Sequence, residues 1–77
     1  MIANRETRIS DGTVLDRRRD VLSRAKRMGY TIRFEPIGGG SRWCEIAGRI
    51  HLFVDLTETA SQQIASVTEI LQKGPGA

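Results

Sequence analysis

The chain reads as an α+β domain, a two-layer α-β-β-β-α sandwich in which a three-stranded antiparallel sheet carries both helices on one face. Three observations predict this. Val14, Leu15, Val21, Leu22, Ala25 and Met28 fall on one arc of a helical wheel. Ile50, Leu52, Val54 and Leu56 then recur with a period of two, and Ala60, Ile64, Val67 and Leu71 return to the helical period. The 77 residues suffice for one domain with a thin core, since a chain of this size buries only roughly 60–65 % of the surface it exposes unfolded. Residues 1 to 10 are expected to form a mobile arm, 11 to 73 the domain and 74 to 77 a disordered tail.

In the first helix Asp11 is the expected N-cap and Gly29 the stop. Asp11 and Asp16 stand near its start, Lys26 and Arg27 in its last turn, each where the helix dipole favours its sign. Asp16 with Arg19, and Asp20 with Arg24, are spaced for local pairs, which accounts for much of the charge in the Arg17-Arg18-Arg19 cluster. Arg18 alone falls inside the apolar arc, so its guanidinium either snorkels to the edge of the core or reaches a carboxylate on the sheet or second helix.

Tyr30 to Ile37 alternates, with Ile32 and Phe34 on one face and Thr31, Arg33 and Glu35 on the other. This is a first strand that Pro36 confines to an edge or an end. Gly38-Gly39-Gly40-Ser41 follows as a wide or mobile loop. A phosphate loop would continue into Lys-Ser or Lys-Thr and a helix, whereas Arg42 and Trp43 begin a second strand, Arg42 to Ile46. The central strand is Arg49 to Leu56. A three-residue loop Ala47-Gly48-Arg49 would sort Ile46, Cys44, Ile50 and Leu52 inward, and would pair Trp43 with Phe53 and Glu45 with His51 on the outer face. A two-residue loop at Gly48-Arg49 would instead put Trp43 opposite Val54 and turn it inward. The second helix opens with a capping box, Thr59 with Gln62, and keeps Gln62, Gln63, Ser66, Glu69 and Lys73 toward water.

Composition narrows the function classes. With 39 % hydrophobic and 27 % charged residues the chain is neither disordered nor membrane-like in type. No apolar run approaches the ~20 residues of a spanning helix. The N-terminus lacks the apolar segment of a signal peptide and Cys44 has no partner, so a cytoplasmic protein is expected. Residues 1 to 33 carry nine Lys and Arg against four Asp and Glu, and residues 34 to 77 three against five, so the basic half is N-terminal. One His and one Cys exclude a multi-His or multi-Cys metal site within the chain. No serine has a nucleophile's context, and His51 beside Glu45 or Asp55 reads as a surface ion pair. No enzyme activity, cofactor or metal is expected.

Two families share the order helix, three strands, helix. The order resembles the double-stranded-RNA-binding domain, but that family's second helix opens with lysines and this one opens Thr57-Glu58-Thr59-Ala60-Ser61-Gln62, with no Lys or Arg before Lys73. The cadence Met28-Gly29-Tyr30, Gly48-Arg49-Ile50 and final helix resembles the ImmA/IrrE-type zinc metallopeptidases over roughly residues 11 to 73. At the place of HExxH stands Thr68-Glu69-Ile70-Leu71-Gln72, where only the glutamate matches. That resemblance implies a scaffold and carries over neither zinc nor peptidase activity.

The expected function is a non-enzymatic protein-interaction module. Its open sheet face, with Trp43 and Phe53 among Arg33, Glu35, Glu45 and His51, would bind a protein partner or a second copy of the chain. The alternative is nucleic-acid binding through the N-terminal arm and Arg17, Arg19, Arg24 and Arg27 of the first helix, with Trp43 as a stacking platform.

Overall fold

The computed structural model describes residues 13–75 as α1 (Val14–Arg27), β1 (Tyr30–Glu35), β2 (Arg42–Ile46), β3 (Arg49–Asp55) and α2 (Ala60–Lys73). The arm expected over residues 1 to 10, the cap expected at Asp11 and the last two residues of the expected tail lie outside the described residues.

Thr13 caps α1, its hydroxyl accepting from the Asp16 N–H at 3.1 Å. Val21, Leu22 and Ala25 are buried, while Leu15, placed on the same arc by its spacing, is exposed. In α2 the Thr59–Gln62 capping box forms in both directions, and Val67 and Leu71 are buried. Gln63, expected toward water, is buried instead. Its position explains why: it sits three residues after Ala60 and four before Val67, inside the apolar arc. Each helix therefore carries one polar residue in its buried stripe, and the two meet. The Arg18 Nε–H donates to Gln63 Oε1, and the guanidinium lies 5.4 Å from the Phe34 ring centre. Arg18 reaches an amide and an aromatic face rather than a carboxylate.

The sheet is mixed, in the order β1-β3-β2, which corrects the antiparallel expectation. β3 is central as expected. It runs antiparallel to β2 and parallel to β1, with Ile32 beside Leu52 and Phe34 beside Val54. The reason lies in the connection from β1 to β2, which crosses the C-terminal end of β3 instead of turning back beside β1. β2 lands on the far side of β3 and returns into it through a tight hairpin, so β1 is left parallel to the strand between them.

That hairpin has neither of the registers weighed from the sequence. Its loop is Ala47-Gly48, with φ of 53° and 81°, the left-handed pair of a type I′ turn whose twist matches that of the flanking strands. Arg42, Trp43, Cys44, Glu45 and Ile46 stand opposite Phe53, Leu52, His51, Ile50 and Arg49. Trp43 and Glu45 therefore share the face of Leu52 and Ile50, and Cys44 and Ile46 share that of His51. A non-glycine residue at left-handed φ is strained, and asparagine adopts that conformation more readily than alanine. Ala47→Asn is expected to raise stability by roughly 0.5 kcal/mol, a few degrees of Tm in a domain this small. A lowered Tm in thermal denaturation would contradict the turn assignment.

Leu52 and Val54, both without solvent exposure, join Val21, Leu22 and Ala25 of α1, Tyr30 of β1, and Val67 and Leu71 of α2 in one apolar cluster. Full burial of a side chain of this kind contributes ~1.5–3 kcal/mol, so this cluster is the main stabilising term.

A groove along the β2 edge as candidate functional site

The crossing loop and the β3–α2 turn are built around one carboxylate. Asp55 ends β3 without solvent exposure. Its Oδ1 accepts from the N–H groups of Ile37, Gly38 and Thr57 at 3.1, 3.1 and 3.0 Å and from the Thr57 hydroxyl at 2.8 Å. Its Oδ2 accepts from the Gly40 N–H at 2.8 Å. Burial alone would push this carboxyl up, but the backbone N–H groups of Thr57, Gly38 and Gly40 and the Thr57 hydroxyl outweigh it and hold Asp55 well below the usual carboxylate range. The backbone of Asp55 is engaged as well: its N–H donates to Ser41 Oγ and its carbonyl accepts from Gln63 Nε2. The glycine run, expected to be wide or mobile, is thus pinned. Gly38, Gly39 and Gly40 all have positive φ, between 75° and 113°, which is what the sequence needs glycine for.

Pinning this loop shapes a groove of about 590 Å³, walled by Gly40 and Ser41 at one end, Trp43 on β2, and Ser66, Glu69 and Lys73 on α2. The Trp43 side chain is 42 % exposed there. Glu58 stands at the loop end. Ser66 Oγ lies 3.0 and 3.1 Å from its two carboxylate oxygens, and Ser41 Oγ donates to it at 3.4 Å. Among the described residues Glu58 has hydroxyl donors and no cation, whereas Glu69 pairs with Lys73 at 3.1 Å. Glu69, at the position matching the metallopeptidase glutamate, is exposed on α2 in the wall of this groove. Among the described residues no three His, Cys, Asp or Glu side chains gather where they could hold a metal.

The backbone of β2 runs on from the groove at Trp43. β2 is an edge strand. In a hairpin with a two-residue loop the flanking pair, Ile46 and Arg49, is hydrogen-bonded, so Arg42, Cys44 and Ile46 direct their N–H and C=O groups to β3. Trp43 and Glu45 direct theirs outward, along the free edge.

The expected outer face is divided. Arg33, His51 and Phe53 remain together on it, but Trp43 and Glu45 belong to the opposite side of the sheet. The His51 and Phe53 rings stack with centres 6.2 Å apart, and Arg33 pairs with Glu35 at 3.7 Å. The alternative nucleic-acid residues are divided too. Arg17, Arg24 and Arg27 border a depression against Ile64 and Thr68 of α2, whereas Arg19 pairs with Asp16 at 3.5 Å and borders a different one, with Lys26 and Phe34. The separation is helical: two residues apart is a turn of about 200°.

Sequence reasoning missed Asp55 and Glu58. A signal for the first was present, an aspartate at a strand end with a threonine two residues on, the pattern of a side chain that closes a turn onto its own backbone. For Glu58 there was none. No helix among the described residues is long and apolar enough to cross a membrane. No family model, curated protein or solved structure matches the chain.

Proposed function

We propose that this protein is a non-enzymatic module that binds an extended segment of a partner protein as an added strand on the free edge of β2. The observation that carries the reading is Trp43. Expected on an open face, it stands half-exposed in a groove at a sheet edge whose backbone groups at Trp43 and Glu45 have no strand to pair with among the described residues. In this mode main-chain hydrogen bonds supply affinity and pockets for alternate side chains supply selectivity. Both helices cover the face of Leu52 and Val54 in this reading, so α2 forms the wall of the groove opposite Trp43.

Charge selects the occupant. Glu58 lines the groove without a cation among the described residues, while Lys73 is engaged by Glu69. A segment with a Lys or Arg directed at Glu58 and an apolar or aromatic side chain laid on the Trp43 indole fits this lining. A second copy fits less well, since its own β2 edge would offer Glu58 a like charge, Glu45.

The test is selection from a library of displayed random dodecapeptides on the full chain and on Trp43→Ala in parallel. Peptides rich in Lys or Arg and an aromatic residue, retained by the parent chain and lost on the variant, are expected. Equal recovery on both proteins, or concentration-dependent dimers in light scattering that Trp43→Ala abolishes, would overturn the assignment.

A further inference from the structure

The sheet face turned away from Leu52 and Val54 carries a second pattern, independent of the groove. Phe53 on the central strand is flanked in register by Arg33 of β1 and Arg42 of β2, so one row across the sheet reads Arg-Phe-Arg. The next row on that face is Thr31, His51 and Cys44, with the His51 ring stacked against Phe53 at 25° between planes. Arg49, opposite Ile46, closes the face at the hairpin end. Arg33, Arg42 and Arg49 are all exposed. Against three guanidinium groups stand Glu35, paired with Arg33, and Asp55, which is buried and held by the loop.

We infer that this face is a binding platform for single-stranded nucleic acid, with bases stacking on Phe53 and His51 and phosphates held by Arg33, Arg42 and Arg49. The Phe53 and His51 rings, half-buried and stacked on each other along the central strand, offer the outer faces of one stacked pair to unpaired bases, and arginines on the flanking strands lie where the backbone of such a strand would run. Duplex nucleic acid keeps its bases stacked on each other and has no use for the rings. Self-pairing of the face is disfavoured by the same residues: a two-fold contact sets this arginine-rich surface against a copy of itself, with Phe53 and Ile46 the large apolar side chains that the described strands place there to offset the repulsion. This places nucleic-acid contacts on the sheet, away from Arg17, Arg19, Arg24 and Arg27 of α1.

Fluorescence anisotropy with a labelled mixed-sequence single-stranded DNA dodecamer tests the inference, with its duplex and inorganic polyphosphate as competitors. The single strand should bind with a log–log salt slope of about −0.7 per phosphate contacted. Phe53→Leu should weaken binding by roughly five- to hundredfold, the range for loss of one stacking platform, and Phe53→Tyr should restore it. Arg33→Gln with Arg42→Gln should weaken binding and flatten the salt slope, and Arg17→Glu with Arg24→Glu should leave both unchanged. Polyphosphate or duplex competing as well as the single strand, Phe53→Leu binding normally, or loss of binding in the α1 variant would each overturn it, as would a dimer dissociated by Arg33→Glu. Trp43→Ala is expected to bind the oligonucleotide normally, so failure of the peptide reading leaves this result standing.

Discussion

Asp55→Ala is expected to lower the Tm by on the order of 10 °C or more, and to do so by releasing the loop between β1 and β2 rather than by opening the apolar cluster. The carboxylate accepts from four donors on Oδ1 and one on Oδ2, and four of these five are backbone N–H groups. Removing it leaves four N–H groups in a part-buried site without that acceptor, which is costlier than the loss of a bond between fully exposed groups. Asp55→Asn should fall between parent and alanine: its single oxygen can serve the Oδ1 donors, but its amide would face the Gly40 N–H, a donor against a donor. Thr57→Val removes one hydroxyl donor and should cost far less. The same carboxylate predicts a pH dependence. Its folded-state pKa lies below the ordinary value, so the folded chain binds a proton less readily than the unfolded chain does. Its stabilising contribution is complete above the ordinary carboxylate range and is lost as pH falls through and below it. Urea titrations between pH 7 and pH 3 should show the midpoint of the parent falling with pH more steeply than that of Asp55→Asn; parallel curves would contradict this.

Trp43→Ala is expected to reduce the affinity of a selected peptide by about tenfold to a few hundredfold, the range for an aromatic anchor in a partly enclosed site. Stability should change little, since the indole is 42 % exposed and lies outside the buried cluster. Glu58→Gln should weaken peptides with a Lys or Arg at the matching position and spare those with a neutral residue there, while Glu58→Lys should exclude the basic peptides altogether. Isothermal titration on the full chain distinguishes these outcomes. A peptide that loses nothing on Trp43→Ala binds elsewhere.

The sequence showed the elements more clearly than their neighbours. Both helices and all three strands follow from periodicity, and the centrality of β3 follows from its apolar run. The parallel pairing of β1 with β3 depends on where a glycine-rich loop crosses, and that is set by hydrogen bonds from the loop to Asp55, a residue distant in sequence. Trp43 illustrates the sensitivity of a hairpin: its partner is Leu52 in the register that forms, and successive one-residue shifts would make it Phe53 and then Val54, while the loop that forms, Ala47-Gly48, uses an alanine where sequence chemistry favours Asn or Gly. The candidate groove followed from that shift. Arg18 was recognisable as out of place in its arc, but its partner was hidden because Gln63 read as a surface residue when it occupied the equivalent misplaced position on α2. Polar residues inside apolar stripes on two helices of one small domain are worth testing against each other before either is assigned to solvent.

The most direct test of strand addition is amide hydrogen exchange along β2, measured by NMR on the full chain with and without a peptide from the selection. In the free protein the amides of Cys44 and Ile46, directed to β3, should exchange more slowly than those of Trp43 and Glu45, directed outward. With peptide bound, Trp43 and Glu45 should gain the protection while Cys44 and Ile46 change little, an alternation that only a strand paired along this edge produces. Protection gained on β1 or spread over α2, with the Trp43 and Glu45 amides still exchanging freely, would contradict the account.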